Sequence, residues 1–302
     1  MAKNFFNFKN PFIAFSTIAV IAFSCGGNET TQEEVDTTQN TEENTNQSQL
    51  MEIDGKVFSI PSPIQTATLI KNSGTNYNKD MLNVPSNVTK YSTNFKKAIN
   101  LGVFGADLGY VTLYDQTQDA ISYLTAIKSI GDDLGVSSAF DMELVERFES
   151  NIGDQDSLLA LVSDAYKSSD RYLKNNQQND VGGLILAGGW IESLYFATNA
   201  AAMTSNPDVI KRVGEQKATL SNLIKLLTPF YSKPEFTNLV DQLIELDELF
   251  SKIEITYTYV KPTVDAQNKT TTINSTTDVN FSNEQLKAIS AKTLEIRNEL
   301  IN

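Results

Sequence analysis

The sequence predicts an all-α fold for residues 51–302: a multi-helix bundle of about eight helices with a small β-hairpin or ordered loop near 255–281. Three observations predict it. From Ser92 onward, apolar residues recur three and four apart over most of the chain. Helix-start signals precede several of these stretches, among them Asn206-Pro207 and Ser282 with Gln285 three residues on. Alternating, β-branched text is confined almost entirely to Ile255–Val260 and Lys269–Ile273.

Taken in order, Gly55–Ile60 reads as one short strand ahead of the Pro61-Ser62-Pro63 break. Ser62 then suits an N-cap, with Pro63 at the first helical position and Gln65 closing a capping box, and the helix stops near Gly74. Residues 75–90 carry turn chemistry and form an ordered loop. A helix over 93–115 holds Phe95, Ile99, Val103 and Leu108 with Gly102, Gly105 and Gly109. Helices over 118–134, 139–151 and 155–174 follow, and Asp180 opens a fifth, running to about Thr204. The sixth carries Leu220, Leu223, Ile224 and Leu227 on one stripe. Ser232 and Glu235 form a capping box before the seventh, and Ser282 and Gln285 cap the last, whose seam is Leu286, Ile289, Thr293, Ile296 and Leu300.

A faint repeat at an offset of 83 lays Phe104–Leu108 on Ala187–Ile191 and Lys128–Asp132 on Lys211–Glu215. Shared apolar spacing accounts for it equally well. A true repeat implies two pseudo-repeated units of about 80 residues whose glycine-rich first helices touch, since small residues let backbones approach.

Composition removes whole classes of function. The chain has 302 residues, 24 Lys and Arg against 37 Asp and Glu, a net charge of −13, one cysteine and no histidine. Such acidity argues against nucleic acid as a partner. The absence of histidine excludes Ser-His-Asp and Cys-His catalysis and most zinc sites. A single cysteine excludes an intramolecular disulfide. No cofactor motif is present: there is no Gly-rich phosphate loop and no His-Glu-x-x-His.

Residues 1–24 read as a secretory leader, with Lys3 and Lys9 ahead of the uncharged run Pro11–Ser24. At ~1.5 Å per residue that run falls short of a ~30 Å hydrocarbon core. Its end, Ala22-Phe23-Ser24-Cys25-Gly26-Gly27, resembles the lipobox of bacterial lipoproteins, with a small residue before the cysteine and Ala22 where leucine is usual. The resemblance implies lipidation of Cys25 and cleavage before it. Cleavage removes Lys3 and Lys9 and no acid, taking the net charge from −13 to −15. The absence of aspartate after Cys25 points, within that resemblance, to the outer membrane. Residues 25–50 are polar and acidic, with Glu29, Glu33, Glu34, Asp36, Glu42 and Glu43 and no base, and read as a disordered tether. In leader and tether style the chain resembles Bacteroidota-type lipoproteins of uncharacterised function with helical mature domains.

Carboxylates are the catalytic tools left in number, and Asp107 and Glu192 are the outstanding pair. Each lies within an apolar, glycine-rich helix, Asp107 near Tyr110 and Tyr114, Glu192 near Trp190 and Tyr195. A charge in such a place is either partnered within the structure or functional. Asp107, Tyr110, Trp190 and Glu192 are therefore the candidate ligand-binding set, and no residue is assigned as catalytic or as a metal ligand. Trp190, the single tryptophan, suits either core packing or stacking on a ligand ring. The functional expectation is a non-enzymatic binding or scaffold module with an unknown protein or glycan partner, held at the membrane by its lipid. The alternatives are a carboxylate-based hydrolase of envelope glycans, whose two acids must stand ~5–9.5 Å apart in a cleft, and a small-ligand or peptide carrier.

Overall fold

Two helices occupy the middle of the fold and meet backbone to backbone. The computed structural model describes residues 49–302 apart from 54–55, 61–62, 137–141, most of 152–177, and 266, 268 and 281. The leader, Cys25, most of the tether and the Ser62 cap lie outside the described residues. So does most of the helix expected over 155–174, of which Leu158 and Leu161 are seen to be buried.

The fold is all-α with small antiparallel ribbons. A hairpin comes first, β1 (Gln49–Ile53) pairing with β2 (Lys56–Ile60). Here β1 begins two residues inside the stretch read as tether, because the single strand expected at 55–60 recruits the preceding residues as its partner. Next come α1 (Pro63–Asn72), two 3₁₀ turns at Lys79–Met81 and Pro85–Lys90, α2 (Asn94–Leu113), α3 (Thr117–Leu134) and α4 (Met142–Ser150). The second half holds α5 (Asn179–Thr204), α6 (Pro207–Leu227) and α7 (Pro234–Ser251). A ribbon of β3 (Glu254–Thr258), β4 (Thr263–Asp265), β5 (Thr270–Thr272) and β6 (Thr276–Asn280) precedes α8 (Asn283–Ile301).

Local chemistry explains the helix boundaries. Asn206 accepts from the Asp208 and Val209 amides with Pro207 at the first turn of α6. Ser282 and Gln285 close a reciprocal capping box on α8. The box expected at Ser232 and Glu235 does not form. Lys233 stands at the cap of α7 without a side-chain bond, because Pro234 supplies a preset φ at the first helical position and has no N–H to satisfy.

Every residue of α2 from Ala98 to Leu113 is buried, the mark of a helix surrounded by others. α5 lies against it, α3 covers α2, α6 covers α5, α1 bridges α2 and α5, and α8 packs on α2, α5 and α7. α5 is long and apolar enough to cross a membrane by composition, but 83% of its most apolar stretch is buried inside the protein. The contact between α2 and α5 requires glycine. A Cβ on Gly102 would sit 2.7 Å from Gly189 N and 2.8 Å from Ile185 C, and one on Gly188 would sit 2.9 Å from Ile99 C. The two glycine-rich helices thus touch, as a repeat requires, and all the described helices belong to one compact unit.

Gly188→Ala should therefore cost about 3 kcal/mol or more, because backbone rather than a side-chain tip must give way. Gly183→Ala is the control: there the added carbon meets side-chain atoms alone, the tip of Leu227 at 3.1 Å and Leu226 at 4.0 Å, and the ~0.5–1 kcal/mol helical advantage of alanine applies. Urea unfolding compares them, and equal stability of the two variants would show that α2 and α5 do not touch.

Candidate functional site

Asp107 on α2 and Glu192 on α5 reach the same interior space, one or two turns beyond the glycine contact, and each has no exposed surface. Ionised carboxylates do not enter a core unpaired. The partner of Glu192 is Arg297 on α8: Nε donates to Oε2 at 2.6 Å and Nη2 to Oε1 at 2.7 Å. Nη2 also donates to the Met81 carbonyl at 2.7 Å, and the guanidinium lies 4.3 Å from the centre of the Tyr195 ring. This planar, two-point grip is what arginine provides and lysine does not.

Asp107 has no such partner. Its carboxyl faces Glu192 and the backbone of Asn83, but neither oxygen closes a well-aligned hydrogen bond. Burial first, and the Glu192 charge second, hold its proton affinity well above the usual carboxylate range, with Arg297 opposing only in part. Burial also raises Glu192, against the pull of Arg297. One guanidinium cannot neutralise two buried carboxylates, so burial and the neighbouring Glu192 charge favour the neutral acid at Asp107, beside the Glu192–Arg297 ion pair.

A polar network fastens the segment before α2 to this cluster. Asn83 Nδ2 donates to Tyr91 Oη at 2.9 Å and Asn100 Oδ1 at 3.3 Å, and the Asn83 carbonyl accepts from Tyr123 Oη at 3.0 Å. Asn100 Nδ2 reaches the Leu300 carbonyl at 2.9 Å and Tyr91 Oη the Ile301 carbonyl at 3.2 Å, satisfying the end of α8. Burial pushes the Tyr91 phenol up to about 12, so it stays a donor.

Of the four candidate residues, the structure brings Asp107 and Glu192 together and places the other two elsewhere. Tyr110 is buried in a ring cluster with Tyr77, Tyr114 and Phe196, and its oxygen accepts from the Asn78 amide at 3.1 Å. Trp190 is two residues from Glu192, about 200° around α5, and faces α6, where Nε1 donates to Gln216 Oε1 at 3.0 Å. A void of about 10 Å³ beside Trp190 holds a water at most. A groove of about 230 Å³ lies between the start of α2, α7 and the end of α8, and none of the four borders it. Lys96 and Glu299, which line that groove, are engaged with the α8 carbonyls and with Asn238 and Gln242.

Sequence reasoning missed Arg297, Asn83, Asn100 and Tyr91. Arg297 left a trace: it sits four residues after Thr293 and three before Leu300, beside the apolar seam of α8, where a charge needs a buried partner. Among the described residues no group of three or more acidic, histidine or cysteine side chains could hold a metal. No known family, curated protein or solved structure matches the chain.

Two outcomes follow from the shared proton. The folded protein holds the Asp107 proton above the pH at which the unfolded chain loses it, so this group's contribution is complete below about pH 4 and declines as pH rises. Asp107→Asn should thus raise stability at pH 7 and flatten the decline between pH 5 and 8; thermal melts across that range measure it, and a destabilised, equally pH-dependent variant would contradict the assignment. Arg297→Met should cost about 3–5 kcal/mol by stranding Glu192. Glu192→Gln added to Arg297→Met should recover part of that loss in the same urea titration.

Proposed function

We propose that this chain is a lipid-anchored envelope protein whose helical domain acts as a non-enzymatic binding or scaffold module. The observation that carries the reading is the complete burial of Asp107 and Glu192. A glycan hydrolase needs its two carboxyls open to substrate and water, and these are enclosed, with one bound to arginine and the other driven toward its neutral form by burial. Their chemistry serves the core. What remains for function is surface, and the surface of an acidic chain does not seek anionic lipid.

The membrane attachment rests on Cys25 and the Ala22–Gly27 pattern around it. Its acyl chains would supply the affinity that charge opposes, the following polar residues would let the helical domain stand away from the bilayer, and the outer membrane is the proposed site. The partner is a protein or glycan met at that surface.

Fractionation tests the anchor. The wild-type protein should sediment with membranes and be released by detergent, while Cys25→Ser should leave the precursor uncleaved at this site and lower detergent-released material. Equal recovery of both proteins as detergent-released membrane protein would defeat the lipoprotein reading.

A further inference from the structure

The ribbon between α7 and α8 exposes more apolar surface than the fold requires. β3 pairs with β6 from Glu254↔Asn280 to Thr258↔Thr276, and β4 with β5 from Thr263↔Thr272 to Asp265↔Thr270. β6 rests against α6, where Val279 joins the core. Among the described residues β3 has one ladder partner, β6, on one side, and all five of its residues are exposed. Along the face it shares with Val279, exposure climbs from 39% at Ile255 to 62% at Tyr257 and 68% at Tyr259, so the ribbon leaves the body as it runs out. A two-stranded ribbon with an apolar face is marginal in water, and a free edge beside such a face is a template for another strand.

We propose that β3 is a self-pairing edge, through which two copies of this chain join antiparallel about Tyr257. Residues opposite one another in an antiparallel pair share a face. Pairing about Tyr257 therefore sets Tyr257 against its counterpart and Ile255 against Tyr259 on both sides of the two-fold axis, turning two exposed stripes into one continuous apolar row. Charge favours a second copy at this place. The whole chain carries −13, which keeps copies apart elsewhere, but the stretch 254–261 is neutral, with Glu254 opening it and Lys261 closing it. Antiparallel pairing brings the acidic end of each copy toward the basic end of the other.

The edge is also bounded, which limits assembly to a closed pair. The register shifts by one residue between the two ladders. Side chains fill the gap: the Val260 amide donates to Ser275 Oγ at 3.0 Å, and Asn274 Nδ2 donates to the Lys261 carbonyl at 3.1 Å and Thr263 Oγ1 at 2.9 Å. Pro262 follows and offers no N–H. With β6 on the body and β3 cut off by this bulge, an isologous dimer forms and a filament does not.

The test uses residues 25–302, the mature chain of the proposed reading, carrying Cys25→Ser, so that neither the apolar leader nor acyl chains take part in association. Sedimentation velocity over a concentration series should show a reversible monomer–dimer equilibrium. Tyr257→Lys, which sets like charges opposite each other at the two-fold axis, should raise the dimer dissociation constant at least about fivefold without changing the helical circular dichroism. Tyr257→Cys on the same background should yield a disulfide-linked dimer on mild oxidation. A chain that stays monomeric at every concentration overturns the proposal, as does a dimer that Tyr257→Lys leaves intact.

Discussion

The pairing of Glu192 with Arg297 is the interaction on which the arrangement of α2, α5, α8 and the segment before α2 turns. α2 and α5 approach at Gly102 and Gly188 until backbone meets backbone, and that approach carries Asp107 and Glu192 out of water together. Two carboxylates in such a space would force the helices apart. Arg297 neutralises one, and burial favours the neutral acid at the other. The same guanidinium binds the Met81 carbonyl, so the neutralising group also pins the chain between α1 and α2. Asn100 and Tyr91, both held by Asn83, then satisfy the end of α8, the helix that delivers the arginine. Buried ion pairs seldom add much net stability over apolar packing. What this one does is fix which faces of three helices meet.

Much of the fold was legible because it is written locally. The three-and-four spacing of Leu286, Ile289, Thr293, Ile296 and Leu300 marks a seam, and all five are buried. Asn206-Pro207 and the Ser282–Gln285 box start helices where their chemistry says they should. The misread cap at Ser232 shows where local signals compete: the proline two residues on decides the start. β1 was hidden because Gln49–Ile53 follows directly on the polar residues before it with no glycine or proline to mark a boundary, and pairing with β2 makes it a strand.

The site was half legible. An acid in a glycine-rich apolar helix is a local anomaly, and Asp107 and Glu192 stand out for that reason. Their meeting depends on the α2–α5 approach, which glycine content suggests. Arg297 lies 105 residues from Glu192 in the chain, and no spacing rule links them. Trp190 and Tyr110 looked equivalent to the acids in the text because both are aromatic and near in sequence. Helix geometry separates them, since neighbours in sequence point to different faces. The interior is therefore an electrostatic lock, and the functional reading moves outward, to the lipid anchor proposed at Cys25 and to surfaces such as the ribbon.

The central claim is that one proton is held between two buried carboxyls beside Arg297, and the most direct measurement is the carboxyl carbon resonance of Asp107 followed through a pH titration of the folded protein. The account predicts a protonated Asp107 at pH 7, with ionisation only at higher pH or on unfolding. A resonance that is already that of a carboxylate at pH 7, and that titrates near the ordinary aspartate value, would contradict it.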